Sequence, residues 1–152
     1  MTILVLRQLF ARDLGRLVNE LRLYKREEAI WQKAALINNP AGNLALHIIG
    51  NLNTYIGAVL GNSGYIRNRE AEFSTTGVSR DLLIAQLEET ARIVEQTLAT
   101  LPEKQLNDEF PILVFEKPSS TAFMLIHLAT HLSYHLGQVN YHRRLLDNGQ
   151  VR

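Results

Sequence analysis

No cysteine occurs among the 152 residues. Disulfides, thiolate metal ligands and a cysteine nucleophile are thereby excluded, although the compartment is not fixed by that absence alone. An excess of charge is missing as well: 16 Lys and Arg stand against 15 Asp and Glu, a net charge of +1. Such a balance leaves no electrostatic footprint for nucleic acid, and no polybasic run marks a membrane surface. The opening MTILVLRQLFARDLGRL is broken by Arg7, Arg12 and Asp13. It has neither the layout of a signal peptide nor an apolar stretch long enough to span a bilayer. No nucleic-acid or membrane partner is therefore expected, and the expected location is the cytoplasm. The HExxH, P-loop, dinucleotide-binding, GxSxG and EF-hand patterns are all absent.

What is present is globular: 46% hydrophobic and 20% charged residues, in a length that suits a single domain over residues 1–152. Four segments carry helical periodicity. The first runs from about Thr2 to Tyr24, with Leu6, Leu9, Phe10, Leu14, Leu17 and Leu21 spaced by three and four. The second opens at Asn39-Pro40, a cap residue with proline at the first helical position, and ends at Gly61. The third follows Ser79 and stops before Pro102. The fourth starts near Ser119 or Ser120 and runs to Asp147, with Asn148-Gly149 as its stop. A helical turn is read around Glu27 to Gln32, and FPILVF (110–115) reads either as a short extended stretch or as apolar loop packing. The fold class is all-α, a four-helix bundle. Residues 62–78 and 102–118 are long for simple antiparallel neighbours, which need about 2–8 residues, so at least one crossover connection is expected.

Four of the five histidines fall within HLATHLSYHLGQVNYH (127–142); His47 stands apart. On a helical wheel of about 100° per residue, His131, His142 and His135 lie roughly 40°, 60° and 80° from His127. Met124, Leu128, Leu132, Val139 and Leu145 share that side, whereas Thr130, Ser133, Asn140 and Arg144 lie opposite. A lone histidine on an apolar face is more often a hydrogen-bonded core residue. Several at four-residue spacing differ, because imidazoles at i and i+4 are neighbours and can meet one cation. Burial without a partner would cost desolvation, which a divalent metal converts into binding energy by taking neutral imidazole. The third ligand must come from a facing helix, and His47, about two turns into the second segment, is available. Asn51 and Tyr55 continue its stripe. One histidine facing a pair forms a three-nitrogen site with positions left open. A bundle di-iron site would need Glu-x-x-His motifs, and neither histidine-bearing helix contains a Glu. Bis-histidine haem ligation has no use for an i,i+4 pair.

HLSYHLGQVNYH resembles the terminal helix of the DinB/YfiT-like superfamily, in which a histidine pair is followed by Gly-Gln; these bacterial proteins are unrelated to the DNA polymerase sharing the DinB name. HIIGNL and GYIRNREAEFS are similar to a subgroup with His-x-x-Gly-Asn and Arg-x-Arg-(Asp/Glu)-x-Glu-Phe. The resemblance implies an up-down-down-up bundle with its long crossover between helices 2 and 3. It also implies a divalent metal, nickel or zinc, on His47, His131 and His135. His127 then lies one turn outside the triad, beside the site or lining it, and His142 is structural; Asn51 and Tyr55, on the His47 stripe, are read as orienting substrate or a ligand, or equally as core packing and helix–helix hydrogen bonding. The implied activity is metal-dependent hydrolysis or transfer assisted by a low-molecular-weight thiol.

In either reaction a metal would acidify a bound water and polarise a substrate oxygen. Glu70 and Glu72 are candidates for a base, and Arg67 and Arg69 for holding an anionic substrate or thiol carboxylate. Alternatively, these charges pair with one another on the surface. A non-catalytic metal-binding stress or interaction protein is the second functional class, distinguished by a closed site with a fourth protein ligand. Ile3, Leu4, Val5, Leu6, Leu9 and Phe10 cover more than one helix face. A homodimer is therefore expected, unless FPILVF covers the surplus.

Overall fold

Ser79 and Ser120, at the two helix starts read from the sequence, act as caps. Their hydroxyls accept from the backbone N–H of Leu82 (3.3 Å) and Phe123 (3.1 Å), satisfying donors that a helix start otherwise leaves free. Helices α4 (Arg80–Thr100) and α5 (Thr121–Leu146) follow directly. The other helices of this computed structural model are α1 (Thr2–Arg22), α2 (Ala41–Leu52) and the short α3 (Arg69–Ser74). The structure describes residues 2–147, among which there is no β-strand. The Asn148-Gly149 stop lies outside the described residues.

α1 packs against α4 and α5, and α2 against the same two helices, so four long helical segments surround one core. Leu14, Leu17, Leu21, Ile48, Leu52, Leu83, Leu87, Leu98, Leu128 and Leu132 are fully enclosed there. Each such side chain contributes about 1.5–3 kcal/mol of burial. No helix among the described residues is long and apolar enough to cross a membrane.

Several boundaries and faces differ from expectation. Pro40 is the cap of α2 rather than its first helical residue. Beyond Leu52 the same rod continues as a π-helical stretch, Asn53–Leu60, before Gly61. At its start Asn53 Nδ2 donates to the Ile49 carbonyl (2.9 Å) and Thr54 Oγ1 to the Gly50 carbonyl (2.6 Å), side-chain bonds of the kind that bend helices. The turn expected near Glu27 is a 3₁₀ helix, Glu27–Trp31, and a second covers Glu103–Asn107. On α5, Asn140 is half-buried and donates to Glu20 Oε1 (2.8 Å), whereas Leu145 is exposed. Of FPILVF, only Phe110 is buried; a single bridge joins Glu109 to Ser120, and Ile112 and Leu113 face solvent.

The crossover from α2 to α4 carries α3. A helix of six residues does not hold itself together, so its place depends on docking. Asn43 of α2 supplies part of it, its Nδ2 donating to the carbonyls of Glu72 (2.9 Å) and Thr75 (2.8 Å).

A candidate metal centre

His47 projects from α2, and His131 and His135 from consecutive turns of α5. The Nε2 atoms of His47 and His135 lie 3.2 and 3.1 Å from Nε2 of His131. The three residues offer nitrogens that all lie within 4.8 Å of one another. His47 is buried; His131 and His135 are half-buried at the edge of the core.

The opposite ring atoms decide what those nitrogens carry. His47 Nδ1–H donates to Glu72 Oε1 (3.0 Å) and His135 Nδ1–H to Gln138 Oε1 (2.6 Å). A carboxylate or amide oxygen can only accept, so each Nε2 is left as a bare lone pair facing inward. His131 Nδ1 is buried without a partner, and its tautomer is left to whatever its Nε2 meets. At most one proton on His131 Nε2 could bridge to one neighbour, leaving the other lone pair unmet. A cation meets all three. The three nitrogens form a donor set that could hold a divalent metal.

Electrostatics agree. Burial first, and then the neighbouring His135 and His47 rings, pull His131 down to about 4 from the ordinary 6.5. Burial likewise lowers His47 against the pull of Glu72, and His135 against that of Gln138. All three are neutral at pH 7, the state a metal needs.

Glu72 is buried, and both its oxygens are occupied. Arg67 donates from Nε to Oε2 (2.7 Å) and from Nη2 to Oε1 (2.8 Å). Burial pushes the Glu72 carboxyl up, but Arg67 and His47 together outweigh it and hold it below the ordinary range. Arg67 in turn lies over the Tyr55 ring, 5.8 Å from its centre. Arg67 and Glu72 thus pair with each other in contact with His47 rather than on the surface. Arg69 and Glu70 are exposed. Gly50 explains how the carboxylate reaches so close to α2: a Cβ there would stand 2.1 Å from Glu72 Oε2.

His127 stays outside the cluster, stacked 6.0 Å from His131 and edge-on to Phe115. Asn51 is buried with its Oδ1 unpartnered. His142 is buried outside the cluster. Its Nε2–H donates to the Gln32 carbonyl (2.8 Å), so its Nδ1 accepts from the Tyr24 hydroxyl (2.6 Å). Gln138 was missed by sequence reasoning, although its position three residues after His135 places it one turn away on the same face. A cavity of about 530 Å³ adjoins His135, walled by Asn38, Asn39, Tyr134, Gln138, Tyr141 and Leu145 among others.

Residues 12–152 match the family described as "Protein of unknown function (DUF1572)". A crystal structure of a conserved protein from Enterococcus faecalis superposes with a TM-score of 0.76 at 18% identity. The match covers 93% of this chain and 95% of that one, a likeness of fold. No curated protein matches the chain.

Proposed function

The chain belongs to the DUF1572 family, of DinB/YfiT-like fold, and from that premise we propose that it is a metal-dependent hydrolase built on a His47–His131–His135 centre. The observation that carries this reading is the convergence of three Nε2 atoms, two of them on rings whose proton an acceptor holds on the far side. Among the described residues the cluster has three donors and no fourth. That favours an open position over the closed site of a purely structural metal. When bound, nickel or zinc would polarise a substrate oxygen and acidify water, its charge undiminished by neutral ligands.

The residues of this chain would do the rest. Glu72 and Gln138 orient two of the imidazoles. The cavity beside His135 would take the substrate, with Asn38 and Asn39 offering amide groups and Tyr134, Tyr141 and Leu145 apolar surface. The committed state of Arg67, bonded to Glu72, favours hydrolysis over the thiol-dependent reading, since that guanidinium is not free for a thiol carboxylate. An up-down-down-up order of the four long helices and a cytoplasmic location belong to the same proposal. Leu4 and Val5 stay about half exposed at 54% and 49%, uncovered by FPILVF, which supports a homodimer.

Metal analysis of purified single variants tests the centre. His47→Ala, His131→Ala and His135→Ala should lose the metal, whereas His142→Ala keeps it. Retention by His47→Ala equal to wild type would overturn the assignment. Turnover of activated esters by the zinc-loaded chain, lost in His135→Ala, tests catalysis; its absence returns the reading to a metal-binding protein.

A further inference from the structure

Asn43, His47 and Gly50 stand at i, i+4 and i+7 and form one face of α2. Every one of them meets α3. Asn43 holds the α3 backbone at Glu72 and Thr75, His47 bonds the Glu72 carboxylate, and Gly50 leaves the space that carboxylate fills. A buried carboxylate is costly unless it is paired, and Arg67 supplies the pairing from the same segment. None of these contacts reaches the point where the three Nε2 atoms meet. Glu72 sits behind the His47 ring, bonded to Nδ1, and is neither a fourth ligand nor an unengaged base.

We infer that Glu72 is a positioning residue of the metal centre: held by Arg67 and admitted by Gly50, it keeps the His47 proton on Nδ1 and turns Nε2 toward His131 and His135. The inference rests on the metal-centre reading above and adds that the affinity of the centre depends on the docking of α3. The arrangement makes a glycine in mid-helix part of the site. Ala is a better helix former than Gly, so Gly50→Ala taken alone would strengthen α2. Its Cβ would instead fall 2.1 Å from Glu72 Oε2 and 2.6 Å from Cδ, displacing the carboxylate from His47.

Zinc affinity measured by competition with a chromophoric chelator tests this. Loss of a partner behind a metal-bound histidine typically weakens binding about 10–100-fold, the change expected for Glu72→Ala. Gly50→Ala should weaken binding in the same way, with no loss of helix by circular dichroism. The double variant should bind no more weakly than Glu72→Ala alone, because both changes remove one contact. Glu72→Gln keeps an acceptor for Nδ1–H and should recover part of the affinity; it carries the test if Glu72→Ala fails to fold. In the metal-free chain, ¹⁵N shifts should place the His47 proton on Nδ1, and Glu72→Ala should redistribute it. Full zinc affinity in both Glu72→Ala and Gly50→Ala, or an unchanged tautomer, would overturn the inference. A wild-type chain that binds no zinc refutes the metal reading instead, and the tautomer measurement still decides the role of Glu72.

Discussion

Acidifying the metal-free protein from about pH 7 to about pH 4.5 should cost stability well before any carboxylate is involved. His131 titrates near 4 in the folded chain, held down by burial and then by His135 and His47, against an ordinary 6.5. Between those values the unfolded chain takes a proton that the folded one refuses. Stability is therefore complete above about pH 6.5 and falls as pH drops toward 4. Two units at about 1.36 kcal/mol each give roughly 2.7 kcal/mol by pH 4.5, trimmed to about 2 because the ring is only half-buried. His47, His135 and His142 are lowered by burial and add to the same fall. Glu72, Glu89 and Glu95 are held below 4.5, so their contributions are lost only around and below that pH. The interval from 6.5 to 4.5 isolates the imidazoles. Urea unfolding in the presence of a chelator, extrapolated linearly at several pH values, measures the loss. Zinc at about a hundred times its dissociation constant should add about 2.7 kcal/mol at neutral pH. A metal-free stability that stays flat from pH 7 to 4.5 would refute the buried neutral cluster.

Tyr24→Phe keeps the ring but removes the hydroxyl that His142 Nδ1 accepts from; a loss of about 1–2 kcal/mol is expected in urea unfolding, with metal content unchanged. His142→Ala also opens a cavity and strands the Gln32 carbonyl, for about 3–4 kcal/mol in all, or roughly 10 °C in Tm by calorimetry. Light scattering at micromolar concentration should give the mass of two chains, and Val5→Lys should halve it; a single-chain mass for wild type would refute the dimer.

The long helices were legible because their signals are local: serines directly before the starts of α4 and α5, and leucines at three- and four-residue spacing. The histidine face was legible for the same reason, since residues 131 and 135 are neighbours on any helix. His47 became a partner through its position on the one other histidine-bearing segment. The site was less legible wherever the contact is tertiary. Nothing in RNREAEF shows that Glu72 is buried while Glu70 is exposed; that depends on α3 docking over the space at Gly50. The π-helical stretch carries no local signature in the sequence, and Asn53 at its start bonds Thr90 of α4, a contact that only the fold brings about. Leu145 sits on the apolar side of the wheel yet is exposed, on the wall of the cavity beside Tyr141.

The close approach of Glu72 to Gly50 also has a hereditary side. A lineage that replaced Gly50 with any larger residue would lose the seat for the carboxylate, and selection on position 72 would relax in the same step. A lineage that first lost Glu72 would free position 50 to become alanine and gain helix stability. Positions 50 and 72 are thus expected to change together or not at all among relatives sharing His47, while Arg67, left with nothing to bind, would drift soon after. An alignment in which alanine at 50 routinely accompanies glutamate at 72 would show that the contact is dispensable.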